Sequence, residues 1–170
     1  MLKVILAATL CLLVGSCSNI AYYAQSVEGH LQLMARTRAI PDVVNHADTD
    51  PALRKQLEQV SAIREFASRQ LALPDNDNYR SYADLGRPYV VWNVFAAPEF
   101  SLELQQWCML FIGCVNYRGY FDQNDATRYA GELIAAGTET HVSGVPAYTT
   151  LGYFNDPVLN TFLRYGDQEV

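Results

Sequence analysis

Cysteine and histidine are the residue types in this sequence best suited to chemistry, and their spacing limits what they can do. Cys108 and Cys114 are separated by five residues, and in an exported chain such an even pair is most simply a disulfide bond. Gly113 would let the short segment between them turn back. Half of a metal site is the alternative interpretation, but no histidine lies near the pair to complete it.

The three histidines show no metal-ligand spacing. His30 is predicted to pack beside the apolar stripe of a helix, and His46 lies in a polar turn where solvation is expected. His141, in a strand-like piece, is the histidine for which a direct role is most worth testing. No G-x-S-x-G, phosphate-binding or dinucleotide-binding motif occurs either. Motifs alone therefore predict no catalytic residue and no metal ligand.

The amino terminus has the pattern of a bacterial lipoprotein signal. Lys3 precedes the apolar run 4–14, and Val14-Gly15-Ser16-Cys17 has the form of a lipobox. Eleven residues at ~1.5 Å each span only about half of a ~30 Å hydrocarbon core, so the run is too short for a resting membrane span. Residues 1–16 are predicted to be removed and Cys17 to be acylated, which makes the membrane a partner through the lipid anchor. An ordinary signal peptide that happens to contain Cys17 is the alternative.

The mature chain, residues 17–170, has the size of one domain. Loss of Lys3 changes the net charge of −6 to −7, and a net negative chain is a poor ligand for nucleic acid. We therefore expect no nucleic-acid partner. Half of the residues are apolar, which excludes disorder and favours a packed core.

Periodicity predicts helices before strands. A first helix over 20–38 carries an apolar stripe of Ile20, Tyr23, Val27, Leu31 and Met34 at steps of three and four. A second begins after the cap Asp50, with Pro51 at its first position, and ends before Pro74. A turn-rich link joins them, so the pair is predicted to form an antiparallel helical hairpin at the amino-terminal end.

The second half alternates between strands and helices. Strands are predicted at 89–95, 107–112, 115–121, 138–142 and 148–154. One helix is predicted to be capped within Asp122 to Asn124 and to run through Ala136, and a last one to run from Asp156 to Gly166. A helical hairpin followed by a small mixed or antiparallel sheet with packed helices is an α+β fold.

Four blocks of the sequence carry a resemblance to a known family. They are YYAQSVEGHL at 22–31, NVFAAPEFSL at 93–102, WCMLFIGCVNYRGYF at 107–121, and GVPAYTTLGYF at 144–154 together with DPVLNTFL at 156–163. In this order, and with the paired cysteines, they resemble the bacterial predicted aminopeptidase family, which consists of lipoprotein-type zinc peptidases. The resemblance runs from about residue 20 to 166, which is nearly the whole mature chain.

The resemblance implies the upstream part of a zincin-like peptidase, with hydrolysis of a peptide bond near a free amino terminus as the reaction of a complete member. Zinc is the expected cofactor there, bound by an H-E-x-x-H helix that follows the last block. No His-Glu pair occurs in this sequence, so no catalytic or metal-binding residue can be assigned. The domain is therefore expected to be incomplete relative to the family. An amino-terminal fragment is the favoured explanation, and a short relative that has lost the catalytic half is the alternative.

The resemblance also implies an edge strand that holds an extended peptide substrate, which we place within 140–151. The candidate lining residues are His141, Val145, Pro146, Ala147 and Tyr148, with a purely structural turn and strand as the alternative. Arg118 and Glu99 lie in family-like blocks and are expected to form an internal ion pair rather than to bind substrate.

Together these features predict the amino-terminal portion of a membrane-anchored zinc aminopeptidase that is inactive as this chain alone and binds no cofactor itself. The expected location is the cell envelope, facing the periplasm, with the outer membrane favoured because Ser18 rather than Asp follows Cys17. A non-catalytic envelope lipoprotein that binds a peptide or a protein is the rival interpretation.

Overall fold

The computed structural model describes residues 2–109 and 113–165, with the backbone alone for 2–18. Within these ranges the helices are α1 Leu2–Ala35, α2 Ile40–Asn45, α3 Pro51–Gln70, α4 Gln123–Ala135 and α5 Asn160–Leu163. The strands are β1 Thr37–Ala39, β2 Ser81–Ala83, β3 Val91–Pro98, β4 Trp107–Met109, β5 Gly113–Val115, β6 Arg118–Tyr120, β7 Thr138–Val145 and β8 Val158–Leu159. Helices with small separate sheets confirm the predicted α+β class.

Three small sheets organise the described strands. The first has the order β1-β2-β8, antiparallel between β1 and β2 and parallel between β2 and β8. The second is antiparallel, with β3 in the centre between β6 and β7, and its longest register pairs Val91 with Val145 and Pro98 with Thr138. The third is the hairpin of β4 and β5. β7 therefore lies at an edge of the second sheet.

The antiparallel pair of β4 and β5 places Cys108 and Cys114 directly opposite each other. Cys108 pairs with Cys114 in the strand register, and the two are joined by a disulfide bond. Gly113 has a φ of +86°, a left-handed conformation that other residues rarely adopt. The loop closed by the bond is short, so its stabilisation on the entropic account is about 2 kcal/mol.

α3 begins where its sequence predicts. The Asp50 carboxylate accepts hydrogen bonds from the backbone N–H groups of Ala52 at 2.9 Å and Leu53 at 3.1 Å. The apolar stripe places Leu57 and Val60 in the core. The link between α1 and α3 is more than the predicted turn, because it forms β1 and α2. The buried side chains of α3 pack against α2 in one cluster with β2, β8 and α5, whereas the buried Leu33 of α1 belongs to a different cluster.

α1 is a helix as predicted, but the face it packs on the protein is not the predicted stripe. Ile20, Val27 and Leu31 are 60% or more exposed. The buried contacts come from the opposite side of the helix, where Gly29 and Leu33 face the protein. Gly29 determines which face of α1 packs on the protein, because the missing side chain allows Phe121 to approach the helix backbone closely.

Two helical glycines predict opposite effects of the same substitution. Alanine normally stabilises a helix interior by ~1 kcal/mol relative to glycine, and Gly131→Ala on α4 should do so because no atom lies within 4 Å of the added Cβ. At Gly29 the added Cβ would lie 2.2 Å from Cγ of Phe121. We expect Gly29→Ala to lower the free energy of unfolding by about 1–3 kcal/mol, measured by urea denaturation. Equal stabilisation of the two variants would refute the close contact.

α4 and β7 follow their predicted signals. The Asp122 carboxylate caps α4 by accepting from the N–H groups of Asn124 at 2.7 Å and Asp125 at 3.3 Å. Gly137, with a φ of +89°, follows the helix and leads into β7. β7 is longer than predicted, since it continues beyond 142 to Val145. Among the described residues, no helix combines the length and the apolar content needed to cross a membrane.

Two predictions for the last part of the chain are wrong. Residues 148–154 form a turn rather than a strand, because Leu151 and Gly152 both have positive φ values. The final helix does not begin at Asp156 but at Asn160, after β8, since Asp156 uses its carboxylate to hold the preceding turn. The predicted end at Gly166 lies outside the described residues.

Candidate functional site

The predicted substrate strand is the edge strand β7 and the segment that follows it. His141 is exposed on β7, with its ring centroid 6.5 Å from that of Phe95. Val145 ends the strand opposite Val91. Pro146 comes next, and its carbonyl oxygen accepts a hydrogen bond from the Thr161 hydroxyl. Along its other edge, β7 has no partner strand among the described residues.

Beyond Pro146 the chain enters the wall of a cleft of about 740 Å³. One side of this cleft is α3, and the facing sides are the loop after α3, the segment 147–149 and the end of the chain around α5. Its lining is mainly apolar and comprises Val60, Ile63, Arg64, Ala67, Leu73, Pro74, Asn76, Asn78, Tyr79, Ala147, Tyr148, Thr149, Val158 and Phe162. Two of the five predicted site residues, Ala147 and Tyr148, thus line the cleft, whereas the other three do not.

One wall of the cleft is held by a buried cation. Arg64 on α3 is only 9% exposed. Its Nε donates to the carbonyl oxygen of Asn78 at 3.0 Å, and its Nη2 donates to those of Pro74 at 2.7 Å and Asn76 at 3.1 Å. Nη1 donates to the Ser68 hydroxyl. The guanidinium therefore fastens the loop 74–78 to the helix through neutral acceptors.

The opposite wall is held by a buried anion. Asp156 is 4% exposed, and its carboxylate accepts from the hydroxyls of Thr149 and Thr150, each at 2.7 Å, and from the backbone N–H of Thr150 at 3.0 Å. Asn78 connects the two walls, because its side-chain oxygen accepts from the Asp156 N–H at 2.8 Å. Burying a charge is costly unless hydrogen bonds compensate for the lost water, and here both Arg64 and Asp156 have several hydrogen-bond partners.

Arg118 forms a different kind of contact from the predicted ion pair. Its guanidinium carbon lies 4.0 Å from the ring centroid of Tyr22 and 4.7 Å from that of Tyr129. Glu99 is exposed, and no salt bridge joins these two residues among the described side chains. Burial raises the pKa of Tyr22, and the Arg118 charge partly opposes that rise. The prediction of an Arg118–Glu99 pair is wrong, and the cation packs on aromatic rings instead.

His30 is the histidine closest to the cleft wall. Its ring centroid lies 4.6 Å from that of Phe154 and 6.2 Å from that of Tyr148. Both ring nitrogens are shielded from solvent, and within the described residues neither has a hydrogen-bond partner. Burial lowers the pKa of His30 below its usual 6.5, although the Asp156 charge acts in the opposite direction. The neutral ring is the form that the fold accommodates.

This shift makes stability depend on pH. Because the folded pKa of His30 lies below the unfolded value of 6.5, the unfolded chain binds more protons as the pH falls. The contribution is fully present above pH 6.5 and is lost as the pH drops towards the folded pKa. We expect His30→Phe to weaken the loss of stability between about pH 7.5 and 5, measured by urea denaturation. A His30→Phe variant whose stability falls with decreasing pH as steeply as that of the unsubstituted chain would contradict this role.

Across residues 21–170 the chain matches the family described as putative aminopeptidase. The chain belongs to the putative aminopeptidase family. This membership supports a peptidase-related function. No curated protein and no solved structure matches the chain, so the zincin-like likeness stays a prediction.

Among the described side chains of this aminopeptidase family member, no set fits a catalytic zinc ion. No group of three or more His, Cys, Asp or Glu residues that could hold a metal occurs in the part of the chain that the structure describes. His30 lies against aromatic rings, His46 accepts from the Asp48 N–H at 3.4 Å, and His141 lies on β7. Cys108 and Cys114 are consumed by their disulfide bond. The side chain of Cys17, the predicted lipid attachment site, lies outside the described residues.

Sequence reasoning missed Arg64, Asn78 and Asp156 as residues that shape the site. One signal was present, since Arg64 occupies a position of the apolar stripe of α3, seven residues after Leu57. A charge in a buried stripe indicates either a partner or a site. Asp156 was hidden because Asp-Pro is also a common helix start.

Proposed function

We propose that this member of the putative aminopeptidase family forms the peptide-binding part of a lipid-anchored zinc aminopeptidase and carries no catalytic zinc of its own. The observation that carries the proposal is the position of the apolar cleft at the end of the edge strand β7, in a chain that belongs to a peptidase family. Zinc and the hydrolytic step would come from an H-E-x-x-H segment, which this sequence lacks.

The edge of β7 supports backbone recognition. An extended peptide can add to a free sheet edge through main-chain hydrogen bonds, which bind it with little dependence on sequence. β7 is eight residues long, enough to pair with a short peptide. The segment 145–148 then continues from the strand into the cleft wall, so a peptide paired along β7 would lead towards the cleft.

The cleft supports selection of a large apolar side chain. Ile63, Leu73 and Tyr79 on its rim are 39%, 53% and 42% exposed. Burying a leucine or phenylalanine side chain is worth about 1.5–3 kcal/mol, which corresponds to roughly 10- to 100-fold in affinity. The Arg64 and Asp156 contacts hold both walls in place before the peptide arrives, which reduces the entropic cost of binding.

The location follows from the first seventeen residues and belongs to the same proposal. A signal over residues 1–16 would direct export, and acylation of Cys17 would hold the chain in the cell envelope, facing the periplasm. The outer membrane is favoured because Ser18 follows Cys17. A disulfide between Cys108 and Cys114 is consistent with an oxidising compartment.

A paired substitution tests the cleft. Ile63→Asp places a charge on its rim, whereas Ile134→Asp makes the same change on the remote, 60% exposed face of α4. The probe is a fluorescein-labelled pentapeptide with alternating leucines and a free amino terminus, measured by fluorescence polarisation. We expect Ile63→Asp to weaken binding ~10-fold and Ile134→Asp to leave it unchanged. Equal affinities for the two variants, or an equally tight all-glycine peptide, would refute the proposal.

The rival function is a non-catalytic envelope lipoprotein that binds a peptide or protein. The absence of a metal-binding group among the described residues favours it, as do large exposed apolar side chains such as Phe100 and Leu102, 96% and 101% exposed. The nucleotide sequence after codon 170, read in all three frames, separates the two. An H-E-x-x-H codon pattern there supports the peptidase, and its absence over several hundred bases supports the binding protein.

A further inference from the structure

α1 has two apolar faces, and the protein covers only one of them. Tyr22 and Leu33 point to the packed side with Gly29 between them, and the Tyr22 ring contacts the ring of Tyr120 and the guanidinium of Arg118. Ile20, Val27 and Leu31 repeat that spacing two residues earlier, which is ~200° around the helix axis. These three side chains are 65%, 60% and 61% exposed. We call them the outer stripe.

The outer stripe is too small for a stable protein interface. From residue 20 to 31 it is about 17 Å long, and with a helix width of ~10 Å it presents on the order of 200 Å². Two copies facing each other would bury about 400 Å², whereas specific complexes bury 1,200 Å² or more. The outer stripe fits better as a secondary contact, in which a separate attachment supplies most of the affinity and no minimum area is needed.

Its position relative to Cys17 identifies that surface. α1 runs without interruption through Cys17, which precedes Ile20 by three residues, or ~4.5 Å along the axis. Glu28 is the only charged residue in the sequence 18–35, so the part of the helix after Cys17 has no Lys or Arg with which to attract anionic lipid. The expected contact is therefore apolar.

We propose that the outer stripe of α1 lies on the surface of the bilayer to which Cys17 is anchored. The acyl chains provide the attachment, and Ile20, Val27 and Leu31 enter the interface and fix the orientation of the domain, so that the body packed on the other face of α1 is held away from the lipid. This inference rests on the acylation of Cys17 that belongs to the proposed function.

Spin labelling of the acylated chain in phosphatidylcholine vesicles tests the contact. With Cys17 acylated and Cys108 bonded to Cys114, a cysteine introduced by Val27→Cys is the free thiol, and Ala135→Cys on the exposed end of α4 is the matched control. We expect the label at 27 to have a several-fold higher ratio of collisions with oxygen to collisions with a water-soluble nickel complex than the label at 135.

Each other outcome overturns the proposal in a distinguishable way. Equal ratios at 27 and 135, with mass spectrometry showing an acylated Cys17, would refute the helix contact and leave the anchor in place. Dipolar broadening between labels at 27 would show that a second copy covers the stripe. An unmodified Cys17 would refute the anchor, and the helix contact with it, whereas the peptide-binding result for the cleft would stand independently.

Discussion

Replacement of Asp156 by alanine is expected to lower the free energy of unfolding by about 2–4 kcal/mol, because three partly buried donors lose their acceptor and a fully buried donor without a partner costs about 1–3 kcal/mol. The Asp156 carboxylate accepts hydrogen bonds from the hydroxyls of Thr149 and Thr150 and from the N–H of Thr150, at 2.7–3.0 Å. None of these donors finds an equivalent acceptor in an alanine side chain. The turn that carries Thr149 into the cleft wall should loosen as well.

Urea denaturation followed by circular dichroism measures this effect. Asp156→Asn should lose less stability than Asp156→Ala, because its amide oxygen still accepts and the threonine hydroxyls can rotate to accept from its NH₂ group. Asp77→Ala, on the exposed loop after α3, is the matched control and should change stability by less than about 0.5 kcal/mol. If Asp156→Ala resembled the control, the carboxylate would not hold the turn.

Replacement of Arg64 by methionine is expected to cost about 2–4 kcal/mol, because hydrogen bonds to a charged group are worth about 1.5–3 kcal/mol each and the loop carbonyls can regain part of that from water. Methionine keeps an unbranched apolar stem within α3, so the loss reports on the guanidinium. The carbonyl oxygens of Pro74, Asn76 and Asn78 each lose the hydrogen bond from the guanidinium, although that of Asn76 keeps the one from Arg80 Nε at 3.0 Å.

Arg69→Met is the matched control on the same helix. Arg69 is exposed and pairs with Glu65 one turn away, an arrangement worth less than about 1 kcal/mol. We expect Arg64→Met to weaken binding of the leucine pentapeptide as well, because the loop 74–78 forms one wall of the cleft. Unchanged peptide affinity in a folded Arg64→Met variant would show that the wall holds its shape without the cation.

Local signals in the sequence were enough to predict several elements. Asp50 with Pro51 and Asp122 mark the starts of α3 and α4, because a side-chain carboxylate satisfies the free N–H groups at a helix start whatever the rest of the fold does. The aromatic and β-branched run near 91–95 likewise marks the central strand of a sheet. Such signals act within a few residues.

Predictions that depended on distant neighbours were less successful. The apolar stripe of α1 predicts that this face packs inward, yet the helix packs through the face that carries Gly29. The reason is the close contact with Phe121, which lies 92 residues away in the sequence. The strand expected at 148–154 is a turn, which is held by hydrogen bonds from Thr149 and Thr150 to the Asp156 carboxylate. In both cases a tertiary contact outweighs a local pattern.

The candidate site divides in the same way. The family resemblance predicts the peptide-binding edge strand within 140–151. In the structure β7 lies at a sheet edge, and Ala147 and Tyr148 lie in the cleft wall. The resemblance does not identify Arg64 or Asn78 as site residues, because they come from a different part of the chain. The two walls of a cleft come from parts of the chain that are distant in sequence. Recognising one wall therefore gives no information about which residues form the other.

By itself the sequence determined the α+β class, the helix caps and, through its family blocks, membership of the putative aminopeptidase family. It also determined that no His-Glu zinc motif is present in these 170 residues. Only the tertiary structure decided which face of α1 is covered and how Arg64 and Asp156 hold the two walls of one cleft. The reason is physical, since caps and strands depend on neighbours in sequence, whereas burial and the pairing of buried charges depend on neighbours in space.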